Sequence, residues 1–340
     1  MVGLGSIGQR HVRNLKTVLG SDVEIMAWRT RKVNYILGDS LTVQSQGDLE
    51  REYSISTLDT LEEGLAQNPE AVFITNPTSL HMPVALLSAE AGCNIFIEKP
   101  LSHDLDDVNR LEDLVSRKGL VALVGYQMRF HPCFLLLKDL LDQEAVGTVL
   151  AVRLEVGEYL PDWHTYEDYR QMYAARSDLG GGVILTQIHE LDLVYWLFGL
   201  PSCLFALGGH WSNLEMDVED TSSILMECPY QGRPLPVHVQ QDYLQKPASR
   251  TCEIVGDMGK ISVDLPSLVV KVVSTKHGRP IVHRFDGFQR NQMFIDELNH
   301  FLACLAGKSE PAVSVHDGLQ SLRMAMAARE SIKRGEAVKL

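Results

Sequence analysis

The sequence lacks the cysteine patterns of disulfide-rich and zinc-binding proteins. Its six cysteines are scattered over 340 residues, and no two of them form a CxxC pair. A chain of this length needs no disulfide framework, and this spacing does not fit a zinc site or a redox dithiol. We therefore expect buried, reduced thiols and no metal site at Cys93, Cys133, Cys203, Cys228, Cys252 and Cys304.

Basic charge and long apolar runs are also scarce. The chain has 31 Lys and Arg against 44 Asp and Glu, a net charge of −13. Nucleic acids and anionic membranes bind through basic surfaces, so neither is expected as a partner, although one pocket can still be basic. No apolar run approaches the ~20 residues of a membrane span, and no signal peptide is visible. A cytoplasmic protein that acts on a small molecule is expected.

The first third of the chain alternates strand-like and helix-like segments. Residues 71–74, 94–97 and 121–124 are continuous apolar runs, typical of strands buried on both faces. Segments with helical spacing lie between them. This order predicts an α/β fold with a doubly wound parallel sheet. The length of the chain predicts a second domain.

The pattern changes beyond residue 148. A polar, aromatic segment at 159–176 is followed by an apolar stretch that predicts one helix over 183–198. Six successive strand-like segments between 221 and 285 predict a largely antiparallel sheet. Two amphipathic helices close the chain. The first of them carries Phe294, Leu298 and Phe301 on one side.

A glycine-rich turn opens the sequence. Gly3, Gly5 and Gly8 form a GxGxxG motif, in which the glycines allow a tight turn, close approach of pyrophosphate and helix packing. Backbone amides at Ser6 and Ile7 begin the helix that faces the phosphates. A GxGxxG motif also occurs in tight turns that bind no ligand. Here the motif opens a helix with an apolar face, and this favours a dinucleotide site. Only two residues precede Gly3. Either the first strand is very short or the true chain starts upstream of Met1, and we expect the second, because two residues cannot bury a central strand.

The residues after the second strand bear on the choice of cofactor. An acidic residue here would bind the ribose diol of NAD, but the chain has Arg29, Thr30 and Arg31. Two guanidinium groups and a hydroxyl suit a 2′-phosphate. This favours NADP. The alternative is a solvated basic loop, with NAD accepted for lack of repulsion.

Two further strand ends carry polar groups. Strand carboxyl ends face the ligand crevice of such sheets. Thr75, Asn76 and Pro77 could therefore line the nicotinamide ribose, whereas His81 could do so or could cap the next helix. Glu98 and Lys99 end a later strand, so both could also contact the cofactor. Lys99 has a further candidate role. It could stabilise a developing alkoxide, or it could be a surface lysine paired with Glu98.

Residues after 158 supply further candidates. His189 lies in an apolar helical stretch, three residues after Thr186 and therefore near the same face. A histidine suits general base catalysis near neutral pH, but a core role is the common alternative. In the aromatic segment, Trp163, Tyr173 and Arg176 could stack on and hydrogen-bond a sugar, or they could belong to an ordinary packed surface.

These motifs together resemble the Gfo/Idh/MocA oxidoreductases, a family named for glucose–fructose oxidoreductase and inositol dehydrogenase. The resemblance covers the whole chain. It rests on the matching segments 3–11 (GLGSIGQRH), 75–81 (TNPTSLH), 98–100 (EKP), 124–132 (VGYQMRFHP) and 180–192.

The resemblance implies a Rossmann domain over residues 1–128. Residues 129–340 then form an α/β domain with an open, mostly antiparallel sheet for substrate binding and oligomerisation. A homodimer or homotetramer is expected. The family lysine matches Lys99 and the helix histidine matches His189. Gln127 would lie near the nicotinamide, with Tyr126 and Arg129 within reach of cofactor or substrate.

One position departs from the family pattern. The family often has an aspartate three or four residues before the histidine, where this chain has Thr186. The resemblance implies an NAD(P)-dependent dehydrogenase or reductase. It would act on a secondary alcohol or ketone of a sugar, sugar acid, cyclitol or nucleotide sugar, with Lys99, His189 and Thr186 at the reacting carbon. The alternative is a non-catalytic sensor or co-repressor on the same fold, which the missing aspartate favours.

Overall fold

The first half of the protein is built around a parallel sheet. The computed structural model describes residues 1–31, 35–38, 42–275 and 278–340. The strands of this half are β1 Ile25–Trp28, β2 Tyr35–Leu37, β3 Val43–Gln46, β4 Ile55–Leu58, β5 Ala71–Ile74, β6 Asn94–Glu98 and β7 Ala122–Gly125. The helices are α1 Ser6–Leu19, α2 Leu49–Tyr53, α3 Leu61–Leu65, α4 His81–Glu90 and α5 Val108–Lys118.

A single residue takes the place of the central strand. β1 pairs with β4, and β5, β6 and β7 pair in sequence, all in parallel. Val2 forms parallel bridges to Trp28 and to Ile74 and so joins the two groups. The spatial order of the strands is β4–β1–Val2–β5–β6–β7. The strand order reverses at Val2, next to the glycine turn, and sheets of this kind bind ligands at such a topological switch point. The predicted doubly wound sheet is confirmed.

The second half contains one large sheet. Its strands are β8 Val149–Gly157, β9 Cys203–Gly209, β10 Thr221–Tyr230, β11 Arg233–Asp242, β12 Ser249–Gly256, β13 Gly259–Asp264, β14 Val269–Ser274, β15 Ile281–Arg284 and β16 Val338–Lys339. The helices are α6 Pro132–Asp142, α7 Val183–Thr186, α8 His189–Phe198, α9 Asn291–Leu305 and α10 Val315–Arg334. The strand order is β15–β14–β13–β12–β8–β11–β10–β9–β16. Among the strands that the structure describes, only β8 and β11 pair in parallel, so the predicted, mostly antiparallel sheet is confirmed.

The predicted single helix over 183–198 is wrong, because it breaks between α7 and α8. Gln187 has φ −99° and ψ 35°, outside helical geometry. Its carbonyl oxygen accepts a hydrogen bond of 2.6 Å from Gln241, and its side chain donates to the Asp242 carbonyl oxygen at 3.2 Å. The bond from Gln241 takes the Gln187 carbonyl oxygen out of the helical pattern, whereas the Gln187 amide still donates to the Val183 carbonyl oxygen at 2.9 Å. The sequence pattern gives no sign of the bonds to β11.

Helix α9 returns to the first half and closes its core. Phe301 packs edge-on against Phe73 and Phe96, with ring centroids 5.5 Å from each, and those two rings stack at 5.0 Å. Leu298 joins the same buried cluster. The boundary at residue 128 therefore stays a prediction, since a helix from the second half covers the first sheet.

None of the helices in the described part of the chain has both the length and the apolar character needed to cross a bilayer. All six cysteines are free thiols.

Candidate active site

A cleft of about 940 Å³ lies where the carboxyl ends of the parallel strands meet the second half. It brings together most of the residues that the sequence singled out. They are Gly3, Gly5, Ser6, Ile7, Arg29, Thr30, Arg31, Thr75, Asn76, Pro77, His81, Glu98, Lys99, Gln127, Trp163, Tyr173, Arg176, Thr186 and His189.

Each glycine of the turn has its own geometry. Gly3 has φ +91°, a conformation that other residues rarely adopt. A Cβ on Gly8 would lie 2.5 Å from the Gly3 carbonyl oxygen, so the close packing of α1 on the turn requires a glycine. A Cβ on Gly5 would meet nothing within 4 Å. Gly5 therefore faces open space in the cleft and caps α1 without a side chain, which leaves the first helix amides available to an anion.

The residues after β5 hold this turn in place. The Thr75 hydroxyl donates to the Gly3 carbonyl oxygen at 2.8 Å. The two ring nitrogens of His81 lie 2.8 Å from the Pro100 carbonyl oxygen and 2.9 Å from that of Asn76. Burial lowers the pKa of His81. His81 thus ties two strand ends together and lines the cleft; the alternative that it caps the next helix is wrong, because α4 has no side-chain cap.

Both cofactor-loop arginines are paired with carboxylates. Arg29 forms an ion pair with Glu50 from α2, and their side chains are 8% and 20% exposed. Arg31 donates to Glu167 at 2.6 Å, and its side chain is 64% exposed. Glu167 belongs to the aromatic segment 159–176, which therefore reaches the cofactor side of the cleft. These pairings were not visible in the sequence, since both partners are remote or outside the motif.

Lys99 is neither a surface lysine nor paired through its ammonium with Glu98. The Glu98 carboxylate instead lies 2.7 Å from the buried His11 ring and accepts a bond from the Lys99 backbone amide at 3.2 Å. The Lys99 ammonium donates to the Thr186 carbonyl oxygen at 2.8 Å. This places a half-buried cation in the cleft, beside α7.

His189 lies at the start of α8 and is 4% exposed. Burial lowers its pKa well below the ordinary value, and the charges of Lys99, Arg250 and Arg290 lower it further. Its Nδ1 has no hydrogen-bond partner among the described residues. The unpartnered Nδ1 is itself buried, but the His189 side chain lines the cleft, and a neutral imidazole there can accept a proton from a bound hydroxyl.

Three predicted residues lie outside the cleft lining. Gly8 is covered by the turn, as described above. Tyr126 is fully buried, with its ring edge-on to His189 at 5.8 Å. Arg129 forms a bidentate pair with Asp192, at 2.6 and 3.0 Å, and donates to the Ala312 carbonyl oxygen. Its guanidinium is therefore held in the protein interior, away from any ligand in the cleft.

The aromatic segment forms the outer wall of the cleft through short 3-10 turns. Trp163 packs edge-on against Tyr243, with ring centroids 5.4 Å apart. Arg176 is bound to Asp178 at 2.6 Å. The segment also contacts the first half, because the Tyr166 ring lies 5.1 Å from that of Tyr35. It therefore spans both ends of the cleft.

Several residues that line the cleft were not indicated by the sequence motifs. Arg250 on β12, Arg290 before α9 and Glu158 after β8 line the substrate end, and Arg10 lines the cofactor end over the Phe294 ring at 4.6 Å. Arg10 lies in the glycine-turn segment 3–11, whereas Arg250, Arg290 and Glu158 belong to no local motif. Only the three-dimensional packing brings them to the cleft.

The site suits a dinucleotide. The glycine turn allows a ligand to approach the backbone closely, Gly5 leaves space for that ligand, and the α1 amides have no side-chain cap. The buried Gln127 Oε1 has no hydrogen-bond partner in the described structure. No cluster of three metal-binding side chains occurs in residues 1–31, 35–38, 42–275 and 278–340. The fold and the site together define a dinucleotide-dependent oxidoreductase.

Comparison with known proteins identifies the family. Residues 1–126 match the model described as "Oxidoreductase family, NAD-binding Rossmann fold", and residues 138–340 match "Oxidoreductase family, C-terminal alpha/beta domain". The chain therefore belongs to the Gfo/Idh/MocA family and is an NAD-dependent oxidoreductase. This membership favours the enzyme over the sensor alternative.

The relatives span the full length of the chain. It is 24% identical to myo-inositol 2-dehydrogenase of Thermotoga maritima, with 100% of this chain and 97% of the relative covered. It is also 24% identical to scyllo-inositol 2-dehydrogenase (NAD(+)) of Bacillus subtilis, with 100% and 95% covered. Levoglucosan dehydrogenase in complex with NADH and levoglucosan superposes with a TM-score of 0.83 at 19% identity, covering 99% and 97%. The WlbA dehydrogenase of Bordetella pertussis, with NADH and UDP-GlcNAcA, gives 0.79 at 21%, covering 100% and 97%.

Proposed function

We propose that the protein transfers hydride between a nicotinamide and a secondary alcohol or ketone of a carbohydrate-like molecule. The observation that carries the proposal is the meeting of Lys99 and His189 in the cleft that begins at the glycine turn. The relatives named for inositols, levoglucosan and a nucleotide sugar acid support the same class of substrate.

In the oxidative direction, neutral His189 accepts the proton of the substrate hydroxyl. Lys99 donates a hydrogen bond to the oxygen as negative charge develops, which stabilises the alkoxide-like state. The bound nicotinamide supplies the hydride acceptor. Thr186 holds the lysine through its carbonyl oxygen. The cations around His189 disfavour its protonated form, so the proton is readily passed on after the reaction.

The preference for NADP stays a prediction from Arg29, Thr30 and Arg31, which all line the cleft. Glu50 and Glu167 neutralise the two arginines and weaken that prediction. Of the two, Arg31 is the more exposed and forms a surface pair of small net free energy. We therefore infer that binding of a 2′-phosphate depends on transfer of Arg31 from Glu167 to the phosphate.

We further propose that the protein forms a homodimer or homotetramer through the open face of the large sheet. Leu207, Leu225 and Val273 are exposed apolar side chains on its strands. Apolar groups on one sheet face favour association. Light scattering of the protein and of a Leu225→Glu variant tests this, and a monomer in both cases would refute it.

The change in nicotinamide absorbance tests the activity. Purified protein would be given NAD or NADP, or their reduced forms, with sugars, sugar acids, cyclitols and nucleotide sugars, alongside a Lys99→Met variant. Turnover that depends on Lys99 establishes the proposal. Tight cofactor binding without turnover of any class would contradict it.

A further inference from the structure

Two arginines from distant parts of the chain meet at the substrate end of the cleft. Arg250 lies on β12, and Arg290 lies just before α9. Both line the cleft, and the charges of both lower the pKa of His189. They therefore lie close to the group that we propose as the base, and close to the position of a substrate.

The two arginines differ in their partners. Arg250 forms a bidentate pair with Glu190, at 2.7 and 3.0 Å, and the Glu190 side chain is only 2% exposed. Arg290 has no hydrogen bond or ion pair with any residue in the described part of the chain. Its side chain is accessible to the solvent in the cleft. Arg250 is thus satisfied by the protein, whereas Arg290 is open to a ligand.

Arg290 is held in unfavourable electrostatic surroundings. Burial lowers its pKa, and the charge of Arg250 lowers it further, whereas Glu158 acts in the opposite direction. Glu158 also lines the cleft but does not reach ion-pair distance. Arg290 is exposed to solvent and its guanidinium lies beside a second cation, so an anionic ligand relieves the repulsion between the two arginines.

We propose that Arg290, backed by Arg250, binds a carboxylate carried by the sugar ring of the substrate. The inference rests on the proposed function, which it narrows to uronic acids, either free or as nucleotide-diphosphate conjugates. A planar carboxylate matches the two parallel N–H groups of a guanidinium. Glu158 on the same wall disfavours a ligand with a second anion at this end, which argues against a phosphorylated sugar.

Binding to the NAD-loaded protein tests the carboxylate subsite without requiring turnover. The probes are matched pairs, namely glucuronate with glucose and UDP-glucuronate with UDP-glucose, measured by calorimetry. We expect the acid of at least one pair to bind about tenfold more tightly than its neutral partner, the gain of one charge-assisted bond. The pair that shows the larger difference identifies the free or the conjugated form.

Arg290→Gln should abolish this difference, because it weakens binding of the acid by about tenfold more than binding of the neutral member. Arg279→Gln removes an exposed arginine outside the cleft and should keep the difference. Equal binding of acid and neutral sugar, a difference that survives in Arg290→Gln, or tighter binding of glucose 6-phosphate than of glucuronate would each overturn the proposal.

Hydride transfer measured in parallel separates this inference from the proposed function. Arg290-dependent binding of a uronate without turnover would support the subsite and contradict the dehydrogenase assignment. Turnover of neutral sugars with no preference for the acids would support the dehydrogenase and overturn the subsite.

Discussion

The Lys99 ammonium donates to the Thr186 carbonyl oxygen across 2.8 Å. This bond joins the end of a strand in the first half to the end of α7 in the second half. The family pattern often has an aspartate near this position, which the resemblance implies would orient the substrate and support the charge of the histidine. Here a neutral carbonyl holds the lysine at the break between α7 and α8. The lysine is positioned, yet its charge remains available to the substrate oxygen.

Lys99→Met should lower kcat by about 100-fold or more, because the substrate oxygen loses its cationic donor. The dissociation constant for the cofactor should change by less than about threefold, since the glycine turn and α1 are untouched. Stopped-flow turnover and cofactor titration measure the two quantities. Lys308→Met, on the surface, is the matched control. A loss of cofactor affinity as large as the loss of kcat would assign Lys99 to cofactor binding instead.

The pH dependence of the reaction should report His189. Its pKa is lowered well below the ordinary value, so the base is neutral at pH 7 and is lost only as the pH falls through the lowered value. The oxidative kcat/KM should therefore stay constant down to about pH 6.5, the ordinary histidine pKa, and decline at more acidic pH. His189→Asn should remove this limb. An inflection above the ordinary value in the wild-type profile would contradict the prediction.

Two glycine variants separate folding from cofactor binding. Gly8→Ala places a Cβ 2.5 Å from a backbone oxygen and should lower the free energy of unfolding by about 1–3 kcal/mol. Gly5→Ala meets open space and should leave stability unchanged, while weakening the binding of NAD by about tenfold or more through a clash with pyrophosphate. Urea denaturation and cofactor titration measure these effects. Normal NAD binding by Gly5→Ala would place the pyrophosphate elsewhere.

Much of the fold and of the candidate site could be predicted from local sequence patterns. The buried runs at 71–74 and 94–97 specify parallel strands because both faces of such strands are covered. The glycine spacing and the motif at Lys99 lie at strand ends, where the topology of the sheet fixes their direction toward the crevice. These features depend on residues close together in the sequence.

Other features depend on contacts between distant segments. The helix breaks at Gln187 because β11 binds the Gln187 carbonyl oxygen and side chain. Arg129 is a structural residue because Asp192, 63 positions away, neutralises it. Arg250 and Arg290 reach the cleft from separate elements without any shared motif. Pairing between remote residues is set by tertiary packing, and composition and spacing do not report it.

Glu167→Gln should favour NADP. It replaces the carboxylate that holds Arg31 with a neutral amide, which holds the guanidinium less tightly and makes its transfer to a 2′-phosphate easier. Since an exposed pair contributes roughly 0–1 kcal/mol, the affinity for NADP should rise by up to about fivefold, with that for NAD unchanged. Fluorescence titration with both cofactors measures this. Glu62→Gln, on α3, is the control, and the double variant with Arg31→Gln should lose the gain. An equal rise for both cofactors would show that the 2′-phosphate does not contact Arg31.

Arg129→Met should destabilise the protein rather than alter substrate recognition. The variant leaves the Asp192 carboxylate buried, 0% exposed, and among the described residues only Ser321 then remains as a hydrogen-bond donor. Breaking one partner of a buried pair costs about 3–5 kcal/mol, because an uncompensated charge remains. Urea denaturation measures the loss, and Asp192→Asn should partly restore stability in the double variant by removing that charge. KM at a temperature where the variant is folded should match the wild type. A raised KM with unchanged stability would instead return Arg129 to the substrate site.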